Sequence, residues 1–144
     1  MKRLVRYLLT GAVVLIVLGA GFVGLAMVGA ELGGEVIILH THTVSGEKRT
    51  RLWVVDDAGF AWLRASRPGS GWLARIERNP IVLVERGGRL LRFRGAPVRQ
   101  PQVRDRIHAL MREKYGMADR LVSVLRDPAQ SVPVRLEPVG AARD

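Results

Sequence analysis

The sequence predicts a mainly β domain with short helices, an α+β fold, preceded by one N-terminal transmembrane helix. Three observations predict it. From Leu8 to Ala30 no residue is charged and nearly all are apolar or small, a run as long as the roughly 20 residues that cross a hydrocarbon core as a helix. Beyond it, runs of strand length recur between turn signals at Ser45-Gly46, Asp56-Asp57-Ala58-Gly59 and Gly87-Gly88. Helical spacing over several turns shows only late, in Val103, Ile107, Leu110 and Met111. The boundary falls after residue 34: residues 1–34 form a membrane anchor or uncleaved signal, and residues 35–144 the domain.

Met1-Lys2-Arg3 and Arg6 precede the apolar run, and Glu31 and Glu35 follow it. The positive-inside bias then holds the N-terminus in the cytoplasm and places the domain on the far side of a single-pass membrane protein. Val28-Gly29-Ala30 has the small-residue spacing of a signal-peptidase site, but the run exceeds an ordinary signal core of about 7–15 residues, which favours retention. Gly19-Ala20-Gly21-Phe22-Val23-Gly24 fits a dinucleotide-binding glycine pattern. That reading fails because the strand that would follow runs into His40-Thr41-His42-Thr43, with no acidic residue to hold a ribose. Small residues at such spacing instead suit helix packing in lipid.

Strands are predicted over Glu35–Thr43, Lys48–Val55 and Phe60–Ala65, the last two joined by a tight Asp-Asp-Ala-Gly turn. Ser66-Arg67-Pro68-Gly69-Ser70-Gly71 breaks regular structure. A short helix over Trp72–Arg78 ends at Asn79-Pro80, since the residue before proline is pushed out of the α region. Ile81–Val84 and Leu90–Pro97 form a hairpin around Gly87-Gly88, with Arg92 and Arg94 on one face and Leu91 and Phe93 on the other. An amphipathic helix over Pro101–Tyr115 is closed by Gly116. A second covers about Ala118–Leu125, and Ser131–Leu136 supplies a last strand.

The chain has no cysteine, which removes disulfides, thiolate chemistry and Cys-bound zinc. Its net charge is +10, and discounting Lys2, Arg3 and Arg6 leaves +7, so an anionic partner is electrostatically favoured. His40 and His42 share a strand face, but two such histidines with no third ligand nearby make a polar rim and not a metal site. No nucleophile elbow, phosphate-binding P-loop or paired carboxylates beside a histidine are present. Nucleic acid is excluded as a partner, because the basic residues are not interleaved with aromatics along one strand face.

From roughly Ile37 to Pro97, order and spacing resemble the flavin-reductase-like split β-barrel superfamily, in particular its deazaflavin-dependent nitroreductase branch and an uncharacterised domain family allied to it. The matching residues are Thr41 and Thr43, Ser45-Gly46, Arg49, Ser66-Arg67, Trp72 and Asn79-Pro80. The resemblance implies a split β-barrel that binds deazaflavin or FMN, with the cofactor's phosphorylated tail on basic residues and its ring over the barrel. It also implies a homodimer with the cofactor between subunits. Candidate cofactor-binding residues are Thr43, Ser45, Gly46, Arg49 and Arg51 around the first turn, and Ser66, Arg67 and Trp72 around the second. Arg49 is the strongest of these, because a guanidinium grips phosphate in two places. Trp72 offers either a surface for the ring or a core anchor.

Relatives carry a basic residue where this chain has Val44, and a longer loop before Trp72. Two functions therefore stay open. One is a membrane-anchored flavin- or deazaflavin-binding oxidoreductase that passes hydride to an electron-poor quinone or nitro compound. The other is a non-catalytic split barrel that binds an anionic ligand or a protein partner at the membrane surface.

Overall fold

The computed structural model describes Gly19, Gly21 and residues 34–140. The chain divides into two units, Met1–Gly33 and Gly34–Asp144. Of the first only Gly19 and Gly21 are described, both helical, so the predicted membrane helix, cleavage site and glycine motif lie outside the described residues. Among the described residues no helix is long and apolar enough to cross a membrane.

The second unit is a seven-stranded antiparallel sheet with two helices. The strands are β1 (Val36–Thr43), β2 (Gly46–Trp53), β3 (Val55–Asp57), β4 (Phe60–Ala65), β5 (Ile81–Arg86), β6 (Arg89–Pro97) and β7 (Val132–Pro138). Helix α1 (Gly71–Arg78) lies between β4 and β5, and α2 (Pro101–Val124) between β6 and β7, followed by a 3-10 turn over Pro128–Gln130. The strand order is β2-β1-β5-β6-β7-β4-β3. Its two edge strands, β2 and β3, are consecutive in the chain and separated only by Val54, so the sheet rolls into a half-barrel whose edges meet at that residue.

Where sequence analysis read one strand through Val55, the chain bends at Val54 and leaves two. The bend takes the Val54 peptide out of the ladder, and buried backbone groups need other partners. Tyr115 supplies them: its hydroxyl accepts from Val54 N at 2.9 Å, and its one proton is shared between Val54 O at 2.8 Å and Glu35 O at 2.6 Å. Lys114 Nζ adds a bond to Val54 O at 2.7 Å. Burial of Tyr115 raises its phenol to about 12, so it stays protonated and able to donate.

Turn chemistry sets the hairpins. Ala58 and Gly59 have φ of 50° and 81°, and Gly87 and Gly88 have 55° and 73°; two successive positive φ values make the tight turn whose twist matches the flanking strands. Gly116, at φ 52° and ψ −120°, interrupts α2 at the predicted break. Two apolar clusters result. Inside the barrel, Ile37 and Leu39, Leu63, Val82 and Val84, and Val134 pack against Trp72, Leu73 and Ile76 of α1. Outside it, Ile107, Met111 and Tyr115 of α2 cover Val55 and Trp62. A Cβ at Gly95 of β6 would lie 2.9 Å from Ile76 Cγ2, so the glycine makes room for the helix that fills the barrel.

Charged groups fasten the open end. Arg86, at the end of β5, donates to both oxygens of Glu35 at 2.6 and 2.9 Å and to both of Asp56 at 2.7 and 2.6 Å. Lys114 Nζ reaches Glu35 at 2.6 Å. The Arg86 guanidinium holds the Glu35 carboxyl down to about 2 and lowers that of Asp56.

Candidate functional site

The residues of the first predicted turn hold each other. Thr43 Oγ1 donates to Gly46 O at 2.8 Å and accepts from Ser45 N at 3.2 Å, with Ser45 Oγ 3.1 Å away. Thr41, deep in β1, donates to Lys48 O and accepts from Arg75 Nε at 2.7 Å. Arg49 is 69% exposed and pairs with Glu47 at 3.1 Å. In the second predicted loop, Arg67 is exposed and its carbonyl accepts from Ser70 N and Ser70 Oγ. Trp72 is 8% exposed and sits in the barrel core, in keeping with the core-anchor reading.

Arg51 and Ser66, one from each predicted half, do converge. Both line a cavity of about 210 Å³ between β2, β4 and α2. Ser45, Arg49, Arg67 and Trp72 are not among its walls. Strand β2 contributes Arg51, Leu52 and Trp53, and β4 contributes Arg64, with Ser66 just beyond it. His108 and Met111 come from the first part of α2, Val122 and Ser123 from the part beyond Gly116, and Arg126, Asp127, Pro128 and Ser131 from the chain that follows.

A buried polar chain forms the floor. Arg64 Nη2 donates to Asp119, which is 1% exposed, and Arg64 Nη1 donates to His108 Nδ1 at 3.0 Å. A guanidinium can only donate, so His108 Nδ1 is the acceptor and the imidazole proton sits on Nε2. From there it is given to Ser131 Oγ, whose own proton goes to Pro128 O at 2.9 Å. Burial, and then the positive charge of Arg64, lower the His108 pKa and keep the ring neutral. The Ser131 and His108 pair is therefore no nucleophile and base: the histidine nitrogen facing the hydroxyl already carries a proton, and its other lone pair is occupied.

Arg51, Arg64 and Arg126 line this hollow together with one acidic residue, Asp127, and Asp119 lies beneath, paired with Arg64. The balance is positive and the hydroxyls of Ser66, Ser123 and Ser131 stand among the charges, a set that suits an anion. At about 210 Å³ the cavity is smaller than the roughly 300–1,000 Å³ typical of pockets that enclose a drug-sized ligand. The aromatic side chain at its wall is Trp53, stacked on Tyr115 at 4.6 Å between ring centroids. Two other expectations resolve on the outer side of the barrel. His42 is exposed, whereas His40 is buried, with Nδ1 3.0 Å from Glu47 and Nε2 without a hydrogen-bond partner.

Sequence reasoning missed Trp53, Arg64, His108, Arg126 and Ser131. One signal was present: Trp62, Arg64 and Ser66 alternate along β4, so Arg64 had to share the face of Ser66. Nothing local announced that α2 would fold back after Gly116 to bring Asp119 and Arg126 to that face.

No family model and no curated protein matches this chain. Solved structures do. A conserved hypothetical protein from Mycobacterium tuberculosis aligns at 18% identity over 81% of this chain and 79% of its own, with a TM-score of 0.55. A putative pyridoxamine 5'-phosphate oxidase from Listeria innocua aligns at 12% identity over 78% and 90%, with a TM-score of 0.57. An F420-H2 dependent reductase aligns at 18% identity over 70% and 93%, with a TM-score of 0.57. What these proteins share with the chain is the split-barrel fold, and the resemblance read from the sequence is borne out at that level.

Proposed function

We propose that the chain is a membrane-anchored oxidoreductase that binds a flavin or deazaflavin and delivers hydride to an electron-poor substrate such as a quinone or nitro compound. The observation that carries the proposal is the meeting of Arg51 and Ser66, from two separated stretches, on one positive cavity with Arg64 and Arg126. The fold supports it, being shared with proteins described as an F420-H2 dependent reductase and a putative pyridoxamine 5'-phosphate oxidase. In this proposal Arg51, Arg126 and Ser66 hold the cofactor's phosphorylated end, and Trp53 meets the part that leaves the cavity. The bound ring supplies the hydride chemistry; the protein supplies position and positive potential. A bound ring would need surroundings beyond these residues, which a second copy of the chain would supply in the homodimer of the proposal. The anchor is Leu8 to Ala30, with the domain outside the cytoplasm.

The second reading, a non-catalytic module for an anionic ligand, is favoured by the small cavity and by the burial of Trp72. Titration of the detergent-solubilised full chain with FMN and with a deazaflavin separates the two. Binding should weaken ten- to a hundredfold in Arg51→Ala, the loss expected for a charged hydrogen bond of about 1.5–3 kcal/mol, and little in Arg49→Ala. Binding of inorganic phosphate with neither cofactor bound would select the non-catalytic module.

A further inference from the structure

The part of α2 beyond Gly116 presents an apolar face that is exposed among the described residues. Met117 is 66% exposed, Leu121 43%, Val124 84% and Leu125 82%, and their spacing puts them along one side of a helix. The opposite side is occupied: Asp119 is buried on Arg64, and Val122 and Ser123 form cavity wall. The exposed charges from Met117 to Arg126 are Arg120 and Arg126, with no exposed acid between them. The exposed Asp127 follows Arg126; an exposed apolar stripe beside two arginines suits an interfacial helix on an anionic lipid surface.

The fold puts this face beside the point where the chain enters the domain. Glu35 is held by Lys114 Nζ at 2.6 Å, and its carbonyl by Tyr115 Oη at 2.6 Å. Those two residues immediately precede Gly116 and Met117. Only residues 31–34 separate Glu35 from the uncharged segment that ends at Ala30, a span of at most about 14 Å. Leu90, also exposed, belongs to the hairpin that starts from Arg86, the other partner of Glu35.

We infer that the 117–125 face docks on the surface of an anionic bilayer, so that the domain lies against the membrane on this helix. The inference rests on reading Leu8 to Ala30 as a membrane segment and is independent of any cofactor. It sets the cavity wall formed by Val122 and Ser123 behind the docked helix, within the headgroup layer.

The absence of cysteine allows single spin labels to be placed in the full chain at Leu121→Cys and Leu125→Cys. The control is Val44→Cys, in the fully exposed turn at the far end of β1, about 26 Å of strand away from Val36. The proteins are reconstituted in vesicles of phosphatidylcholine with phosphatidylglycerol and recovered by flotation. Docking predicts that labels at 121 and 125 collide with oxygen more readily than with a water-soluble nickel chelate, while the label at 44 shows the reverse. It also predicts that Arg120→Glu, a change outside the cavity, returns the label at 121 to water. Equal, aqueous accessibility at all three positions in floated protein overturns the docking alone; protein that fails to float overturns the anchor and the docking together. Shielding from both reagents with spin broadening between copies assigns the face to a second copy of the chain and likewise overturns the proposal.

Discussion

Replacing Asp119 by leucine should cost far more than replacing it together with its partner. Asp119 is 1% exposed and Arg64, its ion-pair partner, has 11% of its side chain accessible. Taking away one member of such a pair leaves a buried charge without compensation, at a cost of about 3–5 kcal/mol. Exposed pairs such as Arg49 with Glu47 contribute only about 0–1 kcal/mol. At roughly 4 °C or more per kcal/mol for a domain of this size, Asp119→Leu should lower Tm by about 12 °C or more. The double replacement Arg64→Met with Asp119→Leu removes both charges and fills similar volume, so at least about 2 kcal/mol should return, even though His108 Nδ1 then loses its donor. Urea unfolding of the wild type, both single variants and the double variant gives the coupling directly. A single variant that costs under about 1 kcal/mol, or a double variant as unstable as Asp119→Leu, would refute the view that the cavity floor depends on this pair.

Tyr115→Phe keeps the stack on Trp53 but strips Val54 N of its acceptor, while Val54 O keeps Lys114, and should destabilise by about 1–3 kcal/mol in denaturant titration. Gly95→Ala places a methyl 2.9 Å from a buried Ile76 atom and should cost about 1–3 kcal/mol, whereas Gly69→Ala, with nothing within 4 Å, should be nearly silent in the same assay. Acid should destabilise the domain over two pH windows. His108 takes a proton less readily folded than unfolded, so its contribution is complete above the ordinary 6.5 and is lost as pH falls below it; His108→Gln should remove that loss. Glu35, held at about 2 against an ordinary 4.5, loses its contribution as pH falls through that window. Partial exposure screens the Glu35 pairing and leaves about 1–2 kcal/mol, absent in Glu35→Gln when stability is followed against pH by circular dichroism.

The strands and turns were legible because their signals are local. Gly87-Gly88, Gly59 and Gly116 declare their backbone conformations by residue type, and the alternation in β6 separates Arg92 and Arg94 from Phe93. The bend at Val54 was not legible, since it depends on Tyr115, sixty-one residues away, to satisfy a peptide that no longer pairs. The site was legible in part for the same reason. Arg51 sits in a strand whose pairing fixes its face and Ser66 directly follows one, whereas Thr43 and Ser45 spend their hydroxyls within one turn, and Trp72 is drawn into the core by the helix it begins. His108 looked isolated in the sequence. It acquires a role only when β4 supplies Arg64 and the chain after α2 supplies Ser131.

Nuclear magnetic resonance of the full chain during an FMN titration tests the central claim most directly. Anion capture between β2, β4 and α2 predicts that the Trp53 indole, the Ser66 amide and the His108 imidazole shift together and saturate, while the Trp72 indole and the Ser45 amide stay in place. Shifts confined to Ser45, Arg49 and Arg67, or no shift at saturating FMN, would contradict it.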